Sequence, residues 1–252
     1  EYYEAIDQTE KETALFGELG YRITDAWQVT VGARWFKYEN DVTSGFALPL
    51  ADTVYFGEPQ DAINVNYQSN DVDDDDAIFK FNTSYDFSDD IMAYLTISEG
   101  YRLGGINSVP PCEVPLDPVQ NVCALPDEES FKPDTTTNYE IGVHSQLGDS
   151  LLLNGAVYYI DWDDVQIDSV TENGDIPIVS NGGAAESTGL ELSSQYYITP
   201  DFSVSAAYAY TNAELTQDAP DLFAPGNGAF SGDRLPGTAE NQAYLAAHYE
   251  LL

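Results

Sequence analysis

Positive charge is scarce in this sequence. Lysine and arginine together number 8 in 252 residues, against 44 aspartates and glutamates, for a formal net charge of −36. Phosphates would be repelled by such a surface, so nucleic acid is not an expected partner. His144 and His248 are the only imidazoles. Cysteine is limited to Cys112 and Cys123, in a proline-rich stretch with no histidine nearby. That makes a poor zinc site. A local disulfide formed in an oxidising compartment is the expected arrangement. No apolar run approaches the ~18 residues of a membrane-spanning helix. No signal peptide is visible at Glu1-Tyr2-Tyr3. Helical periodicity is also scarce.

Aromatic residues are plentiful, at 13% of the chain, and Tyr (18) outnumbers Phe (11) and Trp (3). Tyrosine has an apolar body and a wet end, which suits a boundary between water and something greasy. Apolar and polar residues alternate with period two nearly everywhere. In Trp27–Glu39, Trp27, Val29, Val31, Ala33 and Trp35 oppose Gln28, Thr30, Gly32, Arg34 and Phe36. After a turn at Ser88-Asp89-Asp90, Ile91, Ala93, Leu95, Ile97 and Tyr101 oppose Met92, Tyr94, Thr96, Ser98 and Arg102. In Thr137–Leu147, Tyr139, Ile141, Val143 and Leu147 oppose Asn138, Glu140, Gly142, His144 and Gln146. The same pattern predicts strands over Glu12–Ile23, Ala77–Phe87, Leu151–Val170, Gly183–Ile198, Phe202–Ala213 and Asn241–Leu252. In Leu151–Val170 the facing stays open, because Leu151-Leu152-Leu153 and Tyr158-Tyr159-Ile160 are apolar on both faces.

Connection lengths alternate too. Tight turns fall near residues 25, 89, 149 and 200, and longer loops begin near 40, 103, 171 and 214. Antiparallel strands with short turns at one end and long loops at the other describe an outer-membrane barrel. A soluble sandwich mixes loop lengths at both ends. The expectation is therefore an all-β, antiparallel transmembrane barrel segment. Its apolar face meets lipid, its polar face a wet lumen, and neighbouring strands satisfy the backbone. The predicted strands make an odd set, whereas bacterial single-chain barrels have an even number. The chain is thus expected to be part of a larger barrel with strands missing at both ends.

Five phrases, in order, carry a family resemblance: T-A-L-F-G-E-L-G-Y-R-I-T-D-A-W-Q-V-T-V-G-A-R-W, F-N-T-S-Y-D-F-S-D-D-I-M-A-Y-L-T-I-S-E-G-Y-R-L-G-G-I-N, F-K-P-D-T-T-T-N-Y-E-I-G-V-H-S, N-G-G-A-A-E-S-T-G-L-E-L and G-D-R-L-P-G-T-A-E-N-Q-A-Y-L. Together the chain resembles the TonB-dependent receptors of Gram-negative outer membranes. The resemblance implies a barrel of about 22 strands, of which this chain would be roughly strands 12–20. It also implies an N-terminal plug, a segment that binds TonB, and contact with lipid and lipopolysaccharide. The expected cargo is a scarce nutrient such as a ferric siderophore. The alternatives are a passive porin and a secreted β-sandwich that binds carbohydrate. No cofactor and no enzymatic role are expected.

Candidate site residues follow from facing and position. Arg102 adjoins the loop that begins at Leu103, where an anionic ligand would arrive. Tyr101, Asn107, Arg34 and His144 complete the candidate ligand set on the wall and outer rim. Asp73, Asp74, Asp75 and Asp76 are a candidate Ca²⁺ cluster, but they lack the Gly and the spaced Glu of an EF-hand, and a solvated loop is the simpler reading. Asp161, Asp163 and Asp164 flank Trp162 on one strand, where adjacent residues point apart, which argues against paired catalytic acids. Trp35, Phe36, Tyr38, Tyr101, Tyr208 and Tyr210 are candidates for an outer aromatic girdle; Trp27, Phe87 and Phe202 are candidates for the inner one.

Overall fold

The computed structural model describes residues 3–47, 67–112, 123–219 and 228–251. Thirteen strands and no helix are found among them: β1 (Tyr3–Arg22), β2 (Trp27–Ala47), β3 (Gln68–Ser88), β4 (Ile91–Arg102), β5 (Gly105–Ile106), β6 (Ser130–Phe131), β7 (Asp134–Leu147), β8 (Leu151–Asp163), β9 (Gln166–Val170), β10 (Pro177–Asn181), β11 (Ala185–Thr199), β12 (Phe202–Leu215) and β13 (Asn241–Tyr249). Nine of them form one sheet in the order β1-β2-β3-β4-β7-β8-β11-β12-β13. Each strand pairs antiparallel with its neighbour. Two small ribbons, β5–β6 and β9–β10, sit in the long connections.

Register fixes the faces. Val29, Thr83, Leu95, Ile141, Val157 and Leu190 pair in succession across six strands. This face is apolar and uncovered: Leu15 is 75% exposed, Leu19 70%, Ile141 54% and Leu245 75%. A bare apolar sheet of this extent in water would be an aggregation surface. In lipid it is the required exterior. The opposite face carries Arg34, Lys80, Asn82, Thr96, Glu140, His144 and Asn154. There Asn82 Nδ2 donates to Thr96 Oγ1 at 2.8 Å.

The apolar band has limits. Above it Glu99, Thr137, Asp161, Glu186 and Glu214 pair in succession, so four carboxylates share the outward face at one level. Trp35 Nε1 donates to Asp75 Oδ2 at 3.2 Å near that edge. Trp27 Nε1 donates to Thr83 Oγ1 at 2.8 Å near the tight-turn edge. From Trp27 to Trp35 the strand rises about 27 Å. At a tilt of ~40° that gives roughly 20 Å of height, comparable with the apolar band of an outer-membrane barrel.

Several sequence expectations change. The alternation leaves the facing of β8 open; pairing settles it. Tyr158 lies over Gly189 on the polar face, whereas Tyr159 faces outward and donates from its hydroxyl to Glu186 at 3.1 Å. The strand expected over Leu151–Val170 breaks at Asp164, whose φ is 53°, and resumes as β9. The loop expected over Asn40–Asp76 is strand at both ends: β2 runs to Ala47 and β3 begins at Gln68, while 48–66 lie outside the described residues. Asp71–Asp76 therefore lies in β3 rather than in a loop. Phe36 and Tyr38 do not join a girdle. They are buried on the polar face, 2% and 1% exposed, and Phe36 stacks on Tyr101 with ring centroids 3.8 Å apart. Alternation finds apolar residues but cannot tell that a loop will cover them.

Candidate functional site

The polar face and its outer rim are where chemistry gathers. Long side chains lie across glycines on the neighbouring strand. A Cβ at Gly142 would stand 2.5 Å from Tyr94 Cζ, and one at Gly189 2.3 Å from Tyr158 Cζ. With no side chain beneath it, Tyr94 lies flat and donates its hydroxyl to Glu140 at 2.7 Å. His144 stacks on Tyr94 at 5.2 Å and shares a 2.8 Å hydrogen bond with Asn154. Next to this cluster lies a groove of about 480 Å³. Its floor includes Ala156, Ala207 and Ala209, and its walls include Tyr94, His144, Glu191, Gln242 and Tyr244.

The rim is braced from one carboxylate. Asp134 opens β7 and its side chain is 2% exposed. Arg102 Nε donates to Asp134 Oδ1 at 3.1 Å and to Oδ2 at 2.9 Å, and Nη2 also binds Oδ2. Oδ2 further accepts Trp162 Nε1 and the Gln166 backbone N–H, each at 3.1 Å. The guanidinium lies 5.1 Å from the Trp162 ring centre and donates to the Gln166 carbonyl at 3.0 Å. Burial alone pushes the Asp134 pKa up, but the hydrogen bonds from Arg102, Gln166 and Trp162 outweigh it and hold the carboxyl below its ordinary value.

Above this brace the two long connections on either side of β7–β8 form one body. Asn107 Nδ2 donates to the Glu128 and Val179 carbonyls, both at 2.8 Å, and its Oδ1 accepts the Val179 N–H at 2.9 Å. Glu128 in turn accepts the backbone N–H groups of Leu125 and Glu172, each at 2.7 Å. Val109, Ala124 and Ile178 make a small apolar core, with Ile176 packed against it. Cys112 and Cys123 are joined, with S–S 2.03 Å.

The candidate residues thus separate. Arg102 and Tyr101 adjoin in β4 yet serve different partners. Tyr101 donates to Glu12 at 3.0 Å and accepts from Arg34 Nε at 3.4 Å, while Arg34 also pairs with Glu12. Asn107 joins two loops, and His144 lies lower on the wall. Asp73, Asp74, Asp75 and Asp76 alternate between faces of β3, opposite Glu39, Tyr38, Lys37 and Phe36, so they do not converge. No group of three metal-binding side chains is found among the described residues. Sequence reasoning missed Asp134, Trp162, Gln166 and Glu191. Asp134 lies within the quoted F-K-P-D-T-T-T phrase, but nothing in alternation says that it will be buried beneath Arg102.

The architecture is matched among known proteins. The solved structure of the ferric yersiniabactin uptake receptor FyuA from Yersinia pestis superposes on 98% of this chain and 32% of its own, with a TM-score of 0.73 at 19% identity. The siderophore receptor PiuA from Acinetobacter baumannii superposes with a TM-score of 0.65 at 18% identity, over 98% of this chain and 32% of its own. At these identities the likeness is one of fold. In sequence, the pesticin receptor of Yersinia enterocolitica is 26% identical over 219 residues, 86% of this chain and 28% of that receptor. The chain therefore spans less than a third of each of these three relatives. The family profile described as TonB dependent receptor-like, beta-barrel matches residues 2–252. With an antiparallel sheet, an uncovered apolar face and a polar wall below braced loops, this chain belongs to the TonB-dependent receptor β-barrel family.

Proposed function

We propose that this chain is part of the barrel of an outer-membrane importer that takes up a scarce nutrient, a ferric siderophore or a similar chelate, using energy delivered through TonB. The observation that carries the reading is the pairing of a polar wall with a braced outer rim. A rim held by Arg102, Asp134 and Asn107 presents a preorganised surface to a ligand, which lowers the ordering cost of capture. The wall below it offers hydrogen-bonding groups, among them Asn154, Glu191 and Gln242. Of the solved structures that share the fold, one is named a ferric yersiniabactin uptake receptor and another a siderophore receptor.

Capture and passage, not catalysis, are the activity proposed. The test is uptake by cells that express the full-length receptor. Labelled ferric chelates should accumulate against a gradient, and accumulation should cease when TonB is deleted or the proton gradient is collapsed. Passage that persists without either would make the barrel a passive pore.

A further inference from the structure

Of the four cations turned toward the polar face, three are already paired. All eight lysines and arginines of the chain lie among the described residues. Alternation turns Arg22, Arg34, Lys80 and Arg102 toward the polar face. Arg34 pairs with Glu12, Lys80 with Glu18 at 3.1 Å, and Arg102 with Asp134. Arg22 sits at the tight-turn end, away from the rim. Among the loops Lys132 is exposed and makes no ion pair among the described residues, but Asp127, Glu128 and Glu129 lie close by in sequence. Meanwhile Glu10, Asp74, Glu140 and Glu191 share the polar face without a cationic partner among the described residues. Paired charges cancel at the range of an approaching ligand, so the unpaired carboxylates set the field over this wall.

Resting on the importer reading above, we propose that the cargo is a metal chelate of neutral or positive net charge, and that this wall rejects polyanionic chelates. A cationic or amide-bearing chelate finds acceptors in Glu191, Asn154 and Gln242. A polyanion finds carboxylates with no spare donor of opposite charge on this stretch of wall. Rejection of this kind is how a site discriminates by repulsion as well as by attraction.

Two arms test it on the purified full-length receptor. In the first, fluorescence quenching follows titration with a ferric trihydroxamate bearing a pendant ammonium, its N-acetylated neutral form, and a ferric tris-catecholate carrying three negative charges. The expected result is binding of the first two at least tenfold tighter than the third. Equal or tighter binding of the catecholate overturns the proposal. If none binds, the ferric-chelate reading fails, and the second arm decides the charge preference. In that arm a nitroxide is placed at Ala207→Cys, on the floor of the groove, and its collisions with neutral nickel and anionic chromium chelates are compared. The anionic relaxer should collide severalfold less often at low ionic strength, with the gap closing in high salt as the screening length shrinks. Equal or higher anion collision would overturn the proposal.

Discussion

Arg102 grips Asp134 through Nε and Nη2, and the carboxylate it holds is buried under Trp162 at the first residue of β7. Replacing Asp134 with Ala leaves the guanidinium, the indole N–H and the Gln166 N–H without their acceptor. A loss of about 2–3 kcal/mol follows from charge-assisted bonds of this kind. Arg102 is half exposed and can turn to water, which keeps the figure below that of a fully buried pair. Hydrogen exchange should quicken in residues 103–109 and 164–171 while the centres of β7 and β8 stay protected. Arg102→Lys should not restore the wild-type pattern, because an ammonium cannot reproduce the fork.

The same pair has a pH signature. Asp134 has a folded pKa below its unfolded value, which is about 3.9. Its contribution is therefore fully present above that unfolded value and is lost as pH falls through the folded one. Rim protection measured by hydrogen exchange should be flat from pH 7 down to about 5 and should drop in stronger acid. In Asp134→Asn this acid-dependent step should vanish.

Tyr94 over Gly142 is a close fit with no spare room. Gly142→Ala must displace a ring that also binds Glu140 and stacks on His144. The expected cost is ~1–3 kcal/mol, as for other overpacked sites. In denaturant unfolding of the folded receptor, the Tyr94→Ala, Gly142→Ala double variant should lose less than the two single losses combined. Strict additivity would mean that the ring moves freely.

Above the apolar band, β2 and β3 set like charges opposite each other: Glu39 against Asp73 and Asp41 against Asp71. Lys37 relieves the first pair, at 3.1 Å from Glu39 and 3.7 Å from Asp73. Directly opposed like charges destabilise a ladder by roughly 0.2–1 kcal/mol each. Raising salt should therefore slow proteolysis and hydrogen exchange in residues 37–43. Asp71→Asn with Asp73→Asn should remove most of that salt dependence.

The disulfide ties down one loop, not the barrel. Cys112→Ser with Cys123→Ser should open the small Val109, Ala124 and Ile178 core to protease near Leu125. The thermal midpoint of the barrel should stay close to the wild-type value.

The strands were legible in the sequence because lipid and lumen impose opposite chemistry on alternate residues. Trp27, Val29 and Val31 against Gln28, Thr30 and Gly32 left only one assignment of faces. The rim was less legible. Asp134 and Gln166 are ordinary polar residues in sequence, and their burial comes from Arg102 and Trp162 brought in from other strands. Phe36 and Tyr38 looked like girdle residues because alternation records apolarity and says nothing about a covering loop. In β8, tyrosines at Tyr158 and Tyr159 serve opposite faces, since a phenol fits both a wet wall and a membrane edge. Only pairing with Gly189 and Glu186 separates them.

The central claim is that the uncovered apolar face meets acyl chains and the opposite face meets water. Nitroxides at Leu95→Cys and Val143→Cys, and at Ser98→Cys and Asn154→Cys, in the full-length receptor reconstituted in bilayers, address it most directly. The account predicts that the first two collide preferentially with oxygen, which dissolves in lipid, and the second two with a water-soluble nickel chelate. Equal accessibility at all four positions, or the reverse order, would contradict it.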